Sequence, residues 1–365
     1  METSSDPDKS RAGTEHDVRA FTVGSDDAGA RLDVFLARSL EISRAQSRRL
    51  LARGAVSLDG RVLVEKDKGL ALAAGGRIDV ESFRRPSEQA PLPEPEGGAP
   101  PLSVLAEGEG WLVVDKPPGM PVHPLNEGET GTVLNAVVKL HPEIVGVGEG
   151  GLRCGVVHRL DVWTSGALVI ATREDVWQRL RSAFAEHHVE KRYLALVEGE
   201  LDTGPEGVLE LDLGLVMARH RPAKVRVVRP DEPESPAVRP VSQTVRLVES
   251  YGAAPAVGLR GEACMVEVRP RTGFLHQIRV TLAHLGHPLI GDRTYGGKRR
   301  DDRADWAAAC GATRHMLHAA EVEVDEVHAV APLAPDFEAC RAKLREIGEA
   351  LTLDADESEA EEQPE

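Results

Sequence analysis

The sequence predicts an α+β fold in two parts. Three observations carry that expectation. Apolar runs with strand character recur through the later two-thirds of the chain, and helical stretches fall between them without strict alternation, which argues against a doubly wound parallel sheet. A shorter stretch before them has helix and hairpin signals of its own. A run rich in Pro, Glu and Gly separates the two.

Residues 1–19 are polar and charged and are expected to be disordered. Residues 20–83 form the small α/β module. In "RLDVFLARSL", Leu32, Phe35, Leu36 and Leu40 share one helical face. "EISRAQSRRLLARG" predicts a second helix, with Ser43 as N-cap, Leu50 and Leu51 as apolar anchors and Gly54 at the C-terminal cap. "AVSLDGRVLV" follows, where Asp59-Gly60 between alternating residues signals a type I′ hairpin, and "GGRIDV" is a closing strand. Residues 84–101 are expected to be an extended, semi-stiff linker. Residues 102–345 make the larger domain. Its strands are "WLVVD", "GALVIAT", "RYLALVEG", "VSQTVRLVES", "CMVEVRP" and "EVEVDEV", and its helices are "GTVLNAVVKL", "EDVWQRLRSAFAEHH" and "LHQIRVTLAHLG". Residues 346–365 read as an acidic disordered tail. No fixed-period repeat is present.

Composition narrows the function classes. A net charge of -16 argues, taken alone, against a nucleic-acid partner. The average conceals its distribution: "LTLDADESEAEEQPE" has no Lys or Arg, whereas Arg31 to Arg61 holds seven arginines against three acids. The four cysteines lie far apart without CxxC spacing. That argues against a zinc site or a disulfide framework and for a reducing compartment. The opening residues lack a signal-peptide pattern, and no apolar run approaches ~18 residues. A cytoplasmic protein without a membrane partner is expected.

Arg44, Arg48 and Arg49 fall on one side of the second helix. A solvated helix face explains such a run; so does phosphate binding, for which the planar guanidinium fork is suited. The order RLDxFL, then SRxxxxxLxxxGxVxxxG, resembles the S4-like RNA-binding module of ribosomal proteins and RNA-modifying enzymes. That resemblance implies that Arg44, Arg48 and Arg49 contact RNA.

The stretch "GVVHRLDVWTSGALVIAT" puts His158, Arg159 and Asp161 before a turn and an apolar strand. A carboxylate at the lip of a strand can be held rigidly facing a cleft. It can also be one half of an Arg159–Asp161 ion pair, with Thr164, Ser165 and Gly166 merely closing a turn. There is no phosphate-loop pattern, and Ser165 lacks a nucleophile-elbow context. A hydrolase using Ser165 with His158 would lack an evident third member. A metal held by His158, His276 and Cys154 would lack ligands at paired helical spacing.

Read whole, G-x-x-HRLD-x-x-TSG before an apolar strand resembles the catalytic motif of RluA-type RNA pseudouridine synthases. Four more segments resemble that family in its order: "VVDKPPGMPVHP" (113–124), "VEKRYLALVEG" (189–199), "TGFLHQIRVTLAHLGHPLIGDRTYGG" (272–297) and "HMLHAAEVEV" (315–324). The resemblance implies a catalytic domain with a mixed, largely antiparallel sheet flanked by helices. It implies Asp161 as the catalytic carboxylate, Arg279 as the cation beside it, and Tyr193 packing on the target base. It assigns Arg159 to the space left by a flipped uridine, and His158, Thr164, His276 and Gln277 to substrate contact. The carboxylate could attack the sugar C1′, attack the pyrimidine ring or remove a ribose proton; these stay open.

The reaction is an isomerisation, so no cofactor and no metal are implied. The partner is RNA: ribosomal RNA of the large subunit first, transfer RNA second. A monomer is expected. The competing class is a non-catalytic RNA-binding assembly factor that kept the fold, and three departures from the family pattern motivate it. Phe274 and Leu275 stand where the family has Arg and Thr, Val162-Trp163 where charged or small polar residues are common, and Thr281 where His is common. They point to changed polarity near the RNA.

Overall fold

The computed structural model describes residues 19–81, 88–233, 235–252, 262–296 and 305–361, the last helix beyond residue 348 as backbone only. The chain divides into two compact units, Met1–Gln89 and Ala90–Glu365. The disorder expected for 1–19 lies outside the described residues except at Arg19, which opens the first strand.

The first unit holds β1 (Arg19–Thr22), α1 (Leu32–Ser39), α2 (Arg44–Ala52), β2 (Val56–Leu58), β3 (Arg61–Leu63) and β4 (Arg77–Val80). The strands form an antiparallel sheet in the order β1-β4-β2-β3. Its core is the expected face: Leu32, Phe35, Leu36 and Leu40 pack with Leu50 and Leu51. Ser43 caps α2 by accepting from the Gln46 N–H, and the Gln46 side chain accepts from the Ser43 N–H. This reciprocal capping box satisfies two otherwise unpaired donors. Gly54 has φ +72, and Asp59 and Gly60 both have positive φ (49° and 80°), as a type I′ turn requires.

In the second unit a ten-stranded sheet carries the site. Its strands are β5 (Ser103–Gly108), β6 (Trp111–Lys116), β7 (Ser165–Ala171), β8 (Glu190–Glu198), β9 (Val208–His220), β10 (Ala223–Val227), β11 (Arg239–Tyr251), β12 (Ala263–Pro270), β13 (Leu317–Val324) and β14 (Val327–Val330). The order is β10-β9-β11-β12-β8-β13-β7-β6-β5, with β14 paired to β13. The β13–β7 pairing is parallel and every other described pairing is antiparallel, so the sheet is mixed and largely antiparallel.

Helices α3 (Val133–Leu140), α4 (Glu174–Ala185), α5 (Gln277–His284), α6 (Trp306–Cys310) and α7 (Pro335–Glu361) flank it. The centre is covered on both faces. Leu168 and Ile170 of β7 pack with Leu134 and Val137 of α3, while Val169 and Ala171 pack with Val176 and Leu180 of α4. Period-two alternation thus puts neighbouring residues into different cores. Among the described residues no helix is long and apolar enough to cross a membrane.

Four expectations differ from the structure. The linker is not a free spacer throughout. Residues 82–87 lie outside the described residues, but Glu94 is buried and its carboxylate accepts from the Ala99 and Gly131 N–H groups (2.7 and 2.8 Å). Asn135 of α3 donates to the Leu92 carbonyl at 2.6 Å, so this part of the linker is packed against α3. The acidic tail is not disordered from residue 346. Helix α7 continues to Glu361, because Glu, Ala and Leu favour helix whatever their net charge. Cys310 and Cys340 form a disulfide joining α6 to α7, with a Cα–Cα distance of 4.7 Å. Spacing along the chain cannot show two cysteines on helices that pack together. Thr281 does not face RNA. It is fully buried, donating to the Gln277 carbonyl (2.9 Å) and accepting from Gln243 Nε2 (2.8 Å).

Candidate active site

Asp161 opens a turn just before β7. The Thr164 N–H donates back to its carbonyl at 3.0 Å. Three groups hold the middle of the turn: Lys116 Nζ and the Gly119 N–H donate to the Val162 carbonyl (2.8 and 2.9 Å), and Arg314 Nη1 donates to that of Trp163 (2.9 Å). Lys116 is fully buried at the end of β6. Burial lowers its pKa to about 7; the Arg314 charge pushes the same way, and Asp161 and Asp115 oppose. Gly166 follows with φ +110, and a Cβ there would stand 2.1 Å from the Ala319 carbonyl. Only glycine lets β7 meet β13 this closely behind the turn.

Arg279 approaches from α5 and is 6% exposed. Its Nη1 donates to Asp161 Oδ2 at 2.8 Å, and its Nε and Nη2 grip Asp292 at 2.7 and 3.0 Å. The Thr294 and Tyr295 N–H groups also donate to Asp292 (2.8 and 3.1 Å). Burial works against the Arg279 charge, but its bond and ion pair with Asp292, together with the charge of Asp161, raise its pKa above that of an ordinary arginine. The guanidinium lies 5.2 Å from the centre of the Tyr295 ring. That ring's hydroxyl meets His276 Nδ1 at 2.9 Å and accepts from the Val225 N–H at 2.9 Å. His276 takes a left-handed conformation (φ 54°) to start α5, and its Nε2 is 3.8 Å from Asp161.

These groups surround a cleft of about 430 Å³, lined among others by Asp161, Tyr193, Arg279, Arg159 and Phe274. Tyr193 comes from β8 and packs on both adjoining cores. Burial raises its pKa, and the charge of Asp161 adds to the effect, so its hydroxyl keeps its proton. Arg159 is exposed at the rim with no ion pair among the described residues. Phe274 and Leu275 are half-buried and pack toward Leu215, Val225, Val241 and Val280 while lining the cleft.

Other residues named from sequence brace the cleft through bonds to protein. Gln277 is buried; its side chain accepts from Thr272 Oγ1 and the Phe274 N–H (2.9 and 3.0 Å) and donates to the Ser242 carbonyl and Gln243 (3.3 and 3.2 Å). Thr164 Oγ1 is 3.0 Å from His315 Nε2. His158 Nε2 accepts from the Val169 N–H at 2.9 Å, and its ring stacks on Phe184. Burial lowers His158 to about 3 and His315 to about 4, so both are neutral near pH 7.

Sequence reasoning passed over Lys116, Asp292, Tyr295, Arg314 and Lys191. Lys191 also lines the cleft, its pKa lowered by burial to about 8. Lys116, Asp292 and Tyr295 lay inside motifs already quoted, in "DKPPG" and "GDRTYGG", which was the available signal.

In the first unit, Arg31, Arg44 and Arg48 converge on one fully buried carboxylate, Asp33, at 3.1, 2.9 and 3.2 Å. One acid orders three cations, leaving local positive charge. Arg49 is exposed and makes no ion pair with that carboxylate.

A mixed sheet holding a carboxylate, an arginine and a tyrosine around one cleft defines an enzyme-like site, and comparison with known proteins names its class. Residues 110–284 match the family model described as RNA pseudouridylate synthase. Ribosomal large subunit pseudouridine synthase D of Nitrosomonas europaea is 31% identical over 353 residues, spanning 94% of this chain and 93% of that protein. The protein of the same name from Xanthomonas campestris pv. campestris is 31% identical over 353 residues, spanning 93% and 96%. A solved structure, human RNA Pseudouridylate Synthase Domain Containing 4, has a TM-score of 0.50 at 22% identity, covering 67% of this chain and 93% of its own; that likeness concerns the fold alone. The chain belongs to the RNA pseudouridylate synthase family and is an RNA pseudouridine synthase, an isomerase.

Proposed function

We propose that this chain converts specific uridines of large-subunit ribosomal RNA to pseudouridine, with Asp161 as the catalytic carboxylate. One observation carries the assignment: Asp161 meets Arg279 at 2.8 Å inside the cleft that Tyr193 also lines. The names of the two relatives, which cover nearly the whole chain, support the ribosomal target.

The chemistry follows from the residues. The uracil must leave C1′, rotate and rejoin through carbon. Attack on the sugar, attack on the ring and removal of a ribose proton all require a charged carboxylate beside the substrate, shielded from water. Arg279 balances that charge and, through Asp292, holds Asp161 in one place. Tyr193 offers an apolar face to the base and a hydroxyl that keeps its proton. The target must leave its stack to reach the cleft, which costs a few kcal/mol, and Arg159 at the rim can fill the vacated position. The first unit adds affinity through Arg44, Arg48 and Arg49 as an S4-like RNA-binding domain. An RNA substrate sets this work in the cytoplasm; we propose a monomer that needs neither cofactor nor metal.

The test is to map pseudouridine in ribosomal and transfer RNA from cells with and without the gene. Loss of named large-subunit sites is expected. Loss confined to transfer RNA would move the target, and no change in any RNA, with the purified protein inactive on both, would favour the assembly-factor alternative.

A further inference from the structure

The turn that carries Asp161 has an outer side that the chemistry leaves unused. Val162 and Trp163 occupy its two central positions. Their carbonyls point to buried cations, Lys116 and Arg314, while their side chains are 41% and 54% exposed. The indole is seated, since a Cβ on Gly119 (φ +83) would stand 3.1 Å from its six-membered ring. The other tryptophans differ: Trp111 and Trp306 are buried and Trp177 is half-buried.

Exposure of one apolar residue decides little by itself. Here the exposed ring sits on a turn fixed from below at both carbonyls, two residues from Asp161. On the other side of Asp161, Arg159 is exposed at the rim. An exposed aromatic ring and an exposed cation on the same short segment, either side of Asp161, suit one ligand chemistry, an unpaired base with its phosphate. Extruding the target uridine also strips its neighbour of a stacking partner, which an indole at this point can replace.

We propose that Trp163 is a stacking platform for an unpaired base next to the target uridine and thereby selects the RNA loops this chain accepts. The inference rests on the reading of the chain as a modifier of uridines in RNA. It does not depend on which RNA is the target.

The test uses the full chain, with tryptophan emission and binding measured on a mixed-sequence single-stranded RNA oligonucleotide and on the same sequence as a duplex. The single strand should quench the wild-type emission, the duplex should not, and Trp163→Phe should abolish the quenching. Trp163→Leu keeps apolar cover over Gly119 without a π face. It should weaken binding of the single strand by about tenfold with the melting temperature unchanged, while Trp163→Phe stays within about threefold. The same order should hold for kcat/KM on ribosomal RNA. Unchanged wild-type emission at saturating single strand, or equal binding by Trp163→Leu, overturns the proposal. So does emission that changes with protein concentration alone, which would put the indole in a contact between copies. If the wild type forms no pseudouridine in ribosomal RNA, the target assignment fails, and the quenching still decides the role of Trp163.

Discussion

Arg279 stands between two carboxylates, 2.8 Å from Asp161 and 2.7 Å from Asp292. The Asp292 side is bidentate and buried, so it fixes the guanidinium; the Asp161 side faces the cleft. Substitutions at these two contacts should therefore have different consequences. Asp292→Asn leaves Arg279 buried without its anchor, and breaking a buried pair typically costs about 3–5 kcal/mol. We expect a lower melting temperature and a fall in kcat. Arg279→Lys keeps the charge but loses the fork; it should lower kcat by at least about tenfold with less effect on stability. Calorimetry beside single-turnover kinetics checks both, and normal turnover in Arg279→Lys would show that the fork is dispensable.

Buried histidines predict acid sensitivity. Burial holds His315 and His318 at about 4 and His158 at about 3, against about 6.5 in an unfolded chain. Each binds a proton more readily when unfolded. Their stabilisation is complete above about pH 6.5 and is lost as pH falls through the unfolded value toward the folded ones. The melting temperature should decline between about pH 6.5 and 5, before most carboxylates titrate. His318→Asn should flatten that decline. A wild-type melting temperature that is flat or rising toward pH 5 would contradict it.

The arginines of α2 should separate into two kinds. Arg44 and Arg48 neutralise Asp33, which is fully buried, so replacing both with Ala should lower both stability and RNA affinity. Arg49 lacks that tie. Arg49→Ala should leave the melting temperature unchanged and reduce the salt slope of log K by about 0.9 or less. An unchanged slope, measured by filter binding across salt concentrations, would mean that Arg49 does not touch phosphate.

Phe274 is half-buried against Val225 and Val280 yet lines the cleft. If its ring stacks on a base, Phe274→Ala should lower kcat/KM by roughly tenfold or more. Phe274→Arg should loosen site choice, seen as pseudouridine at new positions. A fully buried Phe→Ala costs about 3–5 kcal/mol, so a large drop in melting temperature with normal turnover of the folded fraction would assign the ring to the core.

The sequence made the site legible where its residues lie in compact motifs. Asp161, Tyr193, Arg279 and His276 were readable, and they do line one cleft. What holds them was harder to see. Lys116 reaches the Val162 carbonyl 46 residues away, and His315 reaches Thr164 151 residues away; neither pairing leaves a local pattern. Gln277 and Thr164 look like ligand-binding polar residues because a sequence does not show which polar atoms the fold already occupies. Among the fold elements, β9 and β10 went unread although "LELDLGL" and "AKVRV" alternate apolar with other residues, as a strand with one exposed face does. The cysteine spacing gave no sign of the α6–α7 disulfide for a related reason: packing, and not sequence distance, brings those two thiols together.

The central claim is that Asp161 performs the chemistry. Asp161→Asn keeps the shape and a hydrogen-bond acceptor for Arg279 but can serve neither as nucleophile nor as base. The decisive measurement is pseudouridine formed in large-subunit ribosomal RNA by purified Asp161→Asn, beside its RNA affinity and melting temperature. The account predicts no detectable product, with affinity and folding close to those of the unaltered chain. Turnover within about tenfold of the unaltered chain, about 1.4 kcal/mol in barrier, would contradict it.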